Sequence, residues 1–241
     1  SRDSKIPIVS CIAWDTIPSN AELYKKDIPP RAAPSRIAYN GTVIGAQVFL
    51  NTVTIATINA AIPQKAKIPI LINSLRLIID AIDQQNNQEI KKFRDRSIIL
   101  IGFSGGFRRN EIVSLDYDDL DFVTEGLKIT LRKSKTDQFG EGMLKALPYF
   151  ENSQYCPVVS LQNWIKISKI SSGPIFRRFV KGSKLSDYRL TDQTVALLIK
   201  KYLKLTGIDK KKYSGHSLPS GFATSAAQSG AEERSIMAMT G

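Results

Sequence analysis

The sequence is poor in histidine, in cysteine and in acid. A single histidine, His216, among 241 residues argues against a histidine-built metal centre, and two widely separated cysteines, Cys11 and Cys156, argue against a disulfide framework or a zinc ribbon. Zinc sites and disulfide frameworks are therefore not expected. Two unpaired thiols, with no signal peptide behind Ser1, fit a reducing cytoplasm. Asp and Glu number 22 against 34 Lys and Arg, which leaves a net charge of +12 and a pI near 9.7. Long uncharged runs are also scarce. The one from Ile37 to Gln64 holds Asn40, Gln47, Asn51, Asn59 and four threonines, too polar for a lipid-facing helix, so no membrane partner is expected.

What is present is a globular composition, 42% hydrophobic and 23% charged, with an uneven spread of charge. Before Gln64 there are six basic and four acidic residues; after it there are 28 and 18. The second part therefore attracts a polyanion, and duplex nucleic acid is expected ahead of a membrane because no basic amphipathic helix is evident. Residues 1 to 36 are proline-rich and aperiodic, and read as loops. Residues 37 to 64 read as strands, with Asn40-Gly41 as a hairpin signal, and Pro63 to Pro69 as a linker. Two regions are thus expected, 1–64 and 65–241.

The second region is patterned around Arg94 to Asp121. Ile98, Ile99, Leu100, Ile101 and Phe103 are apolar all round, which predicts a buried helix ending at Ser104-Gly105-Gly106. A second helix is expected to begin at Arg108 and Arg109. Glu111 stands one turn beyond Arg108, where its carboxylate can hold the guanidinium as a preset anion fork. On either side, Asn73 reads as the cap of a helix bearing Leu75, Ile78, Ile79 and Ile82. Leu127, Ile129 and Leu131 alternate as a strand that Met143 to Leu147 returns, with Lys133 to Asp137 at the hairpin tip. Pro157 opens a helix with Val158, Leu161 and Trp164, and Asp192 leads another with Val195, Leu198, Ile199 and Tyr202. His216 begins a small-residue helix with Ser217 as its cap.

Gly-Phe-Arg108-x-x-Glu111-Ile, then a hairpin with Ser-Lys135-Thr, then His216-Ser-Leu with Gly-Phe-Ala-Thr behind it, in this order, resembles the catalytic domain of the tyrosine recombinase (phage integrase) family. The resemblance covers residues 65 to 241. It implies a mainly α domain with a small antiparallel β-sheet, preceded by an irregular or degenerate core-binding region over 1–64. It implies a double-stranded DNA partner, homo-oligomers or an intact recombinase on that DNA, and integration and recombination by strand cleavage and rejoining without cofactor or metal. Carried over residue by residue, Arg108 matches a phosphate-clamping arginine, Glu111 its supporting carboxylate, Lys135 the general acid and His216 the histidine beside the phosphate. Three departures accompany the match: Pro219 stands where the family places a second arginine, no tyrosine follows Tyr213, and residues 1–64 do not read as a four-helix clamp. The expectation is therefore a C-terminally truncated, catalytically incompetent family member, with a non-catalytic DNA-binding module or a decayed gene product as alternatives.

Overall fold

The computed structural model describes residues 67–85, 89–132, 142–150, 154–181 and 184–240. Expectations for the first 66 residues and for the hairpin tip that carries Lys135 lie outside them. The described chain forms helices α1 (Ile72–Asp83), α2 (Glu89–Ser104), α3 (Arg109–Ser114), α4 (Pro157–Ser168), α5 (Asp192–Leu205), α6 (Ser217–Gln228) and α7 (Glu233–Thr240). A three-stranded antiparallel sheet, β1 (Leu120–Val123), β2 (Gly126–Leu131) and β3 (Met143–Pro148), runs in that order, and β4 (Arg177–Phe179) pairs with β5 (Leu185–Arg189). The expected architecture, mainly α with a small antiparallel sheet, is the one observed.

Helix α2 is the axis of the domain. Its C-terminal half has no polar stripe, so it is buried on every side, with Ile98, Ile99, Leu100, Ile101 and Phe103 all at 0% exposure. It packs most extensively on α4, and also on α1, α5 and α6. Trp164 of α4 is fully buried, and its indole N–H donates to the Ile175 carbonyl at 3.0 Å, which satisfies the one polar atom that burial would otherwise orphan. A second buried tie joins α2 to α5. The Tyr202 hydroxyl donates to Asp95 Oδ2 at 2.7 Å, while Arg94 Nη2 and Nε donate to Asp95 Oδ1 at 2.7 and 3.0 Å.

Burial moved three boundaries away from their sequence signals. Helix α1 starts after Leu71 rather than Asn73, because Ile70 and Ile72 are both buried and the Ile70 N–H donates to the Ser217 carbonyl at 2.9 Å. Docking of the apolar pair sets the entry angle, and Asn73 falls inside the first turn. For the same reason residues 67–70 are not linker: Ile68 N–H donates to the Lys212 carbonyl and Lys67 Nζ to the Lys211 carbonyl, so the domain is under way by Lys67. In α6 the cap position belongs to His216, and the Ser217 hydroxyl turns back to accept from the Ser214 N–H at 2.9 Å. The β4–β5 pair and α7 were not anticipated. Among the described residues no helix is long and apolar enough to cross a membrane, and the Cys156 thiol is free and buried.

Candidate active site

The site is built on the reversal between α2 and α3. The Gly105 N–H donates to Ile101, Gly106 takes a left-handed φ of 57°, and the Phe107 N–H reaches back to the Gly102 carbonyl at 3.0 Å. This is the hydrogen-bond pattern of a glycine-terminated helix, and it satisfies carbonyls that the last turn would leave unpaired. Phe107 is fully buried, so the reversal is pinned and the next residue, Arg108, emerges at the head of α3.

Glu111 divides its carboxylate between two tasks. Oε2 accepts from the Arg108 backbone N–H at 2.8 Å, which caps α3, and Oε1 accepts from Arg108 Nη1 at 2.9 Å, which aims the guanidinium. Glu111 is 2% exposed and the Arg108 side chain 23%, so the carboxylate is sealed while the cation still reaches the surface.

Beneath this pair lies Lys145 of β3, a residue that the sequence reading passed over. It is 1% exposed; its Nζ donates to the Gly105 carbonyl at 2.9 Å and to the Met239 carbonyl at 2.6 Å, and stands 4.0 Å from Glu111 Oε2. The Phe107 ring lies under it, 4.3 Å from Nζ to the centroid. Burial lowers its pKa to about 8, Glu111 opposing the shift and Arg108 adding to it. A signal for it did exist. Lys145 shares the inward register of β3 with Leu147 and pairs with the buried Ile129.

His216 arrives from the other side. The Arg109 side chain runs across the α-carbon of Gly215 so closely that a Cβ there would sit 1.8 Å from Arg109 Cδ. That contact sets residues 215–216, at the start of α6, against the Arg108–Arg109 step. His216 is exposed, and Pro219 occupies the first turn of α6, half-buried, without interrupting the helix. The structure thus joins Arg108 and Glu111 directly, and sets Gly215, the residue before His216, against Arg109. Lys135 lies outside the described residues, between the paired strand ends Leu131 and Met143. The base of that hairpin is fixed by Arg132, whose Nε donates to Asp119 Oδ1 at 2.6 Å, while Asp119 Oδ2 accepts from the Asp116 N–H at 2.8 Å. The Asp-rich turn after α3 therefore anchors the hairpin.

An aimed guanidinium at the head of α3, and a second arginine laid over the residue that precedes an exposed histidine, are groups chemically suited to an anion. Comparison with known proteins narrows it. The chain is 41% identical over 177 residues to the integrase/recombinase xerD homolog of Selenomonas ruminantium, covering 73% of this chain and 51% of that one. It is 29% identical over 157 residues to the tyrosine recombinase XerC of Chlorobaculum parvum, covering 64% and 43%. The chain spans about half the length of the curated relatives it matches. Among solved structures, the fold is similar to the XerH site-specific recombinase bound to difH substrate, with TM-score 0.57 and 18% identity over 73% of this chain and 47% of that one. It is also similar to the lambda integrase dimer bound to a COC′ core site, with TM-score 0.53 and 14% identity over 76% and 47%. The pattern characteristic of the phage integrase family runs through residues 72–241, from the first turn of α1 past the end of α7, and to that family of tyrosine recombinases this chain belongs.

Proposed function

We propose that residues 65–241 are a catalytic domain of this family that binds duplex DNA in the cytoplasm through the Arg108–His216 face, and that its strand-cleaving chemistry is silenced at Pro219. Arg108 donates to a backbone phosphate, Glu111 holds it there, His216 lies beside the same phosphate and Lys135 is the general acid for the leaving oxygen. Residues 1–64 are a separate region, and a second copy or an intact recombinase shares the DNA. The observation that carries the reading is the Arg108–Glu111 pair, 2.9 Å between Nη1 and Oε1, at the head of α3 with the start of α6 packed against it.

Pro219 favours binding over cleavage. An arginine that stabilises a phosphoryl-transfer transition state is worth about 10³ to 10⁵ in rate, so its absence removes roughly 4 to 7 kcal/mol of stabilisation while the helix tolerates the proline. Fluorescence anisotropy with a labelled duplex tests the binding half. The intact chain is expected to bind, and Arg108→Gln to bind more weakly with a shallower salt dependence. Equal titration curves for the two proteins would remove Arg108 from the interface and the reading with it.

A further inference from the structure

Arginines with structural duties in this domain are tightly engaged. Arg94 is buried against Asp95, with two donors on Oδ1 and a third on the Arg177 carbonyl at 3.2 Å. Arg177 donates to the Pro174 and Ser172 carbonyls and to Asp187. Arg189 donates to the Val113 and Leu115 carbonyls and to Asp116. Arg109 differs. Its one ion pair among the described residues is with Asp192 Oδ2 at 3.8 Å, beyond hydrogen-bond length, and the two side chains are 31% and 49% exposed. An exposed contact of that length contributes little to stability.

The position of Arg109 is nevertheless tightly defined. Its stem lies on Gly215, where a Cβ would be 1.8 Å from Cδ, 2.1 Å from Nε and 2.7 Å from Cγ. Any side chain at 215 would evict it. The chain thus keeps a glycine where an arginine crosses, and the crossing lays the Arg109 stem over the residue that precedes His216, three residues before Pro219 in the first turn of α6, with a loosely partnered guanidinium at its end. The amide end of a 12-residue helix also favours an anion there.

We propose that Arg109, laid across Gly215, is the second phosphate-binding guanidinium of this site, supplying from α3 the positive charge that Pro219 does not supply from α6. The inference rests on the DNA-binding reading above and assigns a binding residue, not a catalytic one. A charge that holds the phosphate equally in the ground state and the transition state raises affinity without accelerating cleavage, so the role is compatible with silenced chemistry.

The test is a duplex titration by anisotropy at several salt concentrations, using the intact chain, Arg108→Gln, Arg109→Gln, Pro219→Arg and the Arg109→Gln/Pro219→Arg double variant. Each protein's fold is checked by circular dichroism and a thermal melt. Arg109→Gln is expected to weaken binding and to reduce the slope of log K against log salt by about one, the signature of one lost phosphate contact. Pro219→Arg is expected to restore slope and affinity in the Arg109→Gln background, because both guanidinia serve one phosphate. If Pro219→Arg does not fold, Gly215→Ala replaces it: displacing Arg109, it should reproduce the loss, and combining it with Arg109→Gln should add nothing. An unchanged slope for Arg109→Gln, or equal increments from Pro219→Arg with and without Arg109, would overturn the proposal. So would additive losses from Gly215→Ala and Arg109→Gln. Loss of slope in Arg108→Gln but not in Arg109→Gln would sink this inference alone, whereas no duplex binding by the intact chain would sink the underlying reading as well.

Discussion

Glu111 meets Arg108 in a way that local geometry nearly dictates. Two residues three apart on a helix share a face, so the pairing was readable from spacing alone. That the same carboxylate also caps the helix was not. Converting Glu111 to Gln leaves Arg108 without its anionic partner and Lys145 as a buried cation without the nearby carboxylate, so a loss of about 3 kcal/mol is expected, the scale for breaking a buried pair. Urea denaturation measures it, and a loss well under 1 kcal/mol would mean that the pair is ornamental. Lys145 escaped notice because its partners are remote in sequence: the carbonyls of Gly105 and Met239 lie 40 and 94 positions away. Its pKa is lowered from 10.5 to about 8, so between those values the unfolded chain carries more protons than the folded one and stability must rise with pH. Below about pH 8 both states are protonated and the penalty for the buried charge is fully present; above about 10.5 it is gone, a span of roughly 3 kcal/mol. Subtracting the profile of Lys145→Met from that of the parent between pH 7 and 10 isolates this contribution. The difference should climb through the window, and a flat line would count against a buried, protonated Lys145.

At the scale of elements, the apolar helices were the legible ones, because burial of α1, α4 and α5 is written into their periodicity and that of α2 into its unbroken apolar run. The β4–β5 pair was opaque for the opposite reason. Arg177–Phe179 and Leu185–Arg189 contain no fully buried position, and what holds them is Arg94 and Arg189 reaching across to main-chain carbonyls. Helix starts shifted wherever docking of a neighbour outweighed a capping side chain, as at Asn73 and Ser217. The tie between α2 and α5 gives an element-scale prediction. Burial, and then the neighbouring Asp95 carboxylate, hold the Tyr202 phenol well above its ordinary pKa, so it remains a donor throughout the working pH range. Tyr202→Phe deletes that donor but leaves Asp95 on Arg94, and should cost about 1 to 2 kcal/mol. The denaturation midpoint should fall with an unchanged slope and unchanged duplex affinity. A changed affinity would indicate that α5 is oriented for DNA through this bond.

For the whole molecule the governing quantity is charge. The excess of 28 basic over 18 acidic residues after Gln64 is a property of the sequence itself, and it predicts duplex binding that is salt-steep and largely indifferent to sequence. Dissociation constants of about 10⁻⁴ to 10⁻⁶ M at physiological salt are expected, the range of non-specific complexes. Nanomolar affinity that ignores added salt would contradict this account. Cleavage can be examined separately, by extending the chain with a tyrosine-bearing tail from a relative and comparing Pro219 with Pro219→Arg on a suicide duplex, where trapped adduct should form about 10³-fold faster in the arginine form. Equal rates would show that Pro219 is no impediment. The bond from Lys145 to the Met239 carbonyl has a practical consequence for such designs. Because the last turn of α7 is fastened to the glycine reversal that presents Arg108, any group joined shortly beyond Thr240 begins its path from a fixed point a few contacts away from that guanidinium. A short flexible tether there would hold a fluorophore, a crosslinker or a foreign nucleophile near Arg108 at an effective concentration on the order of millimolar.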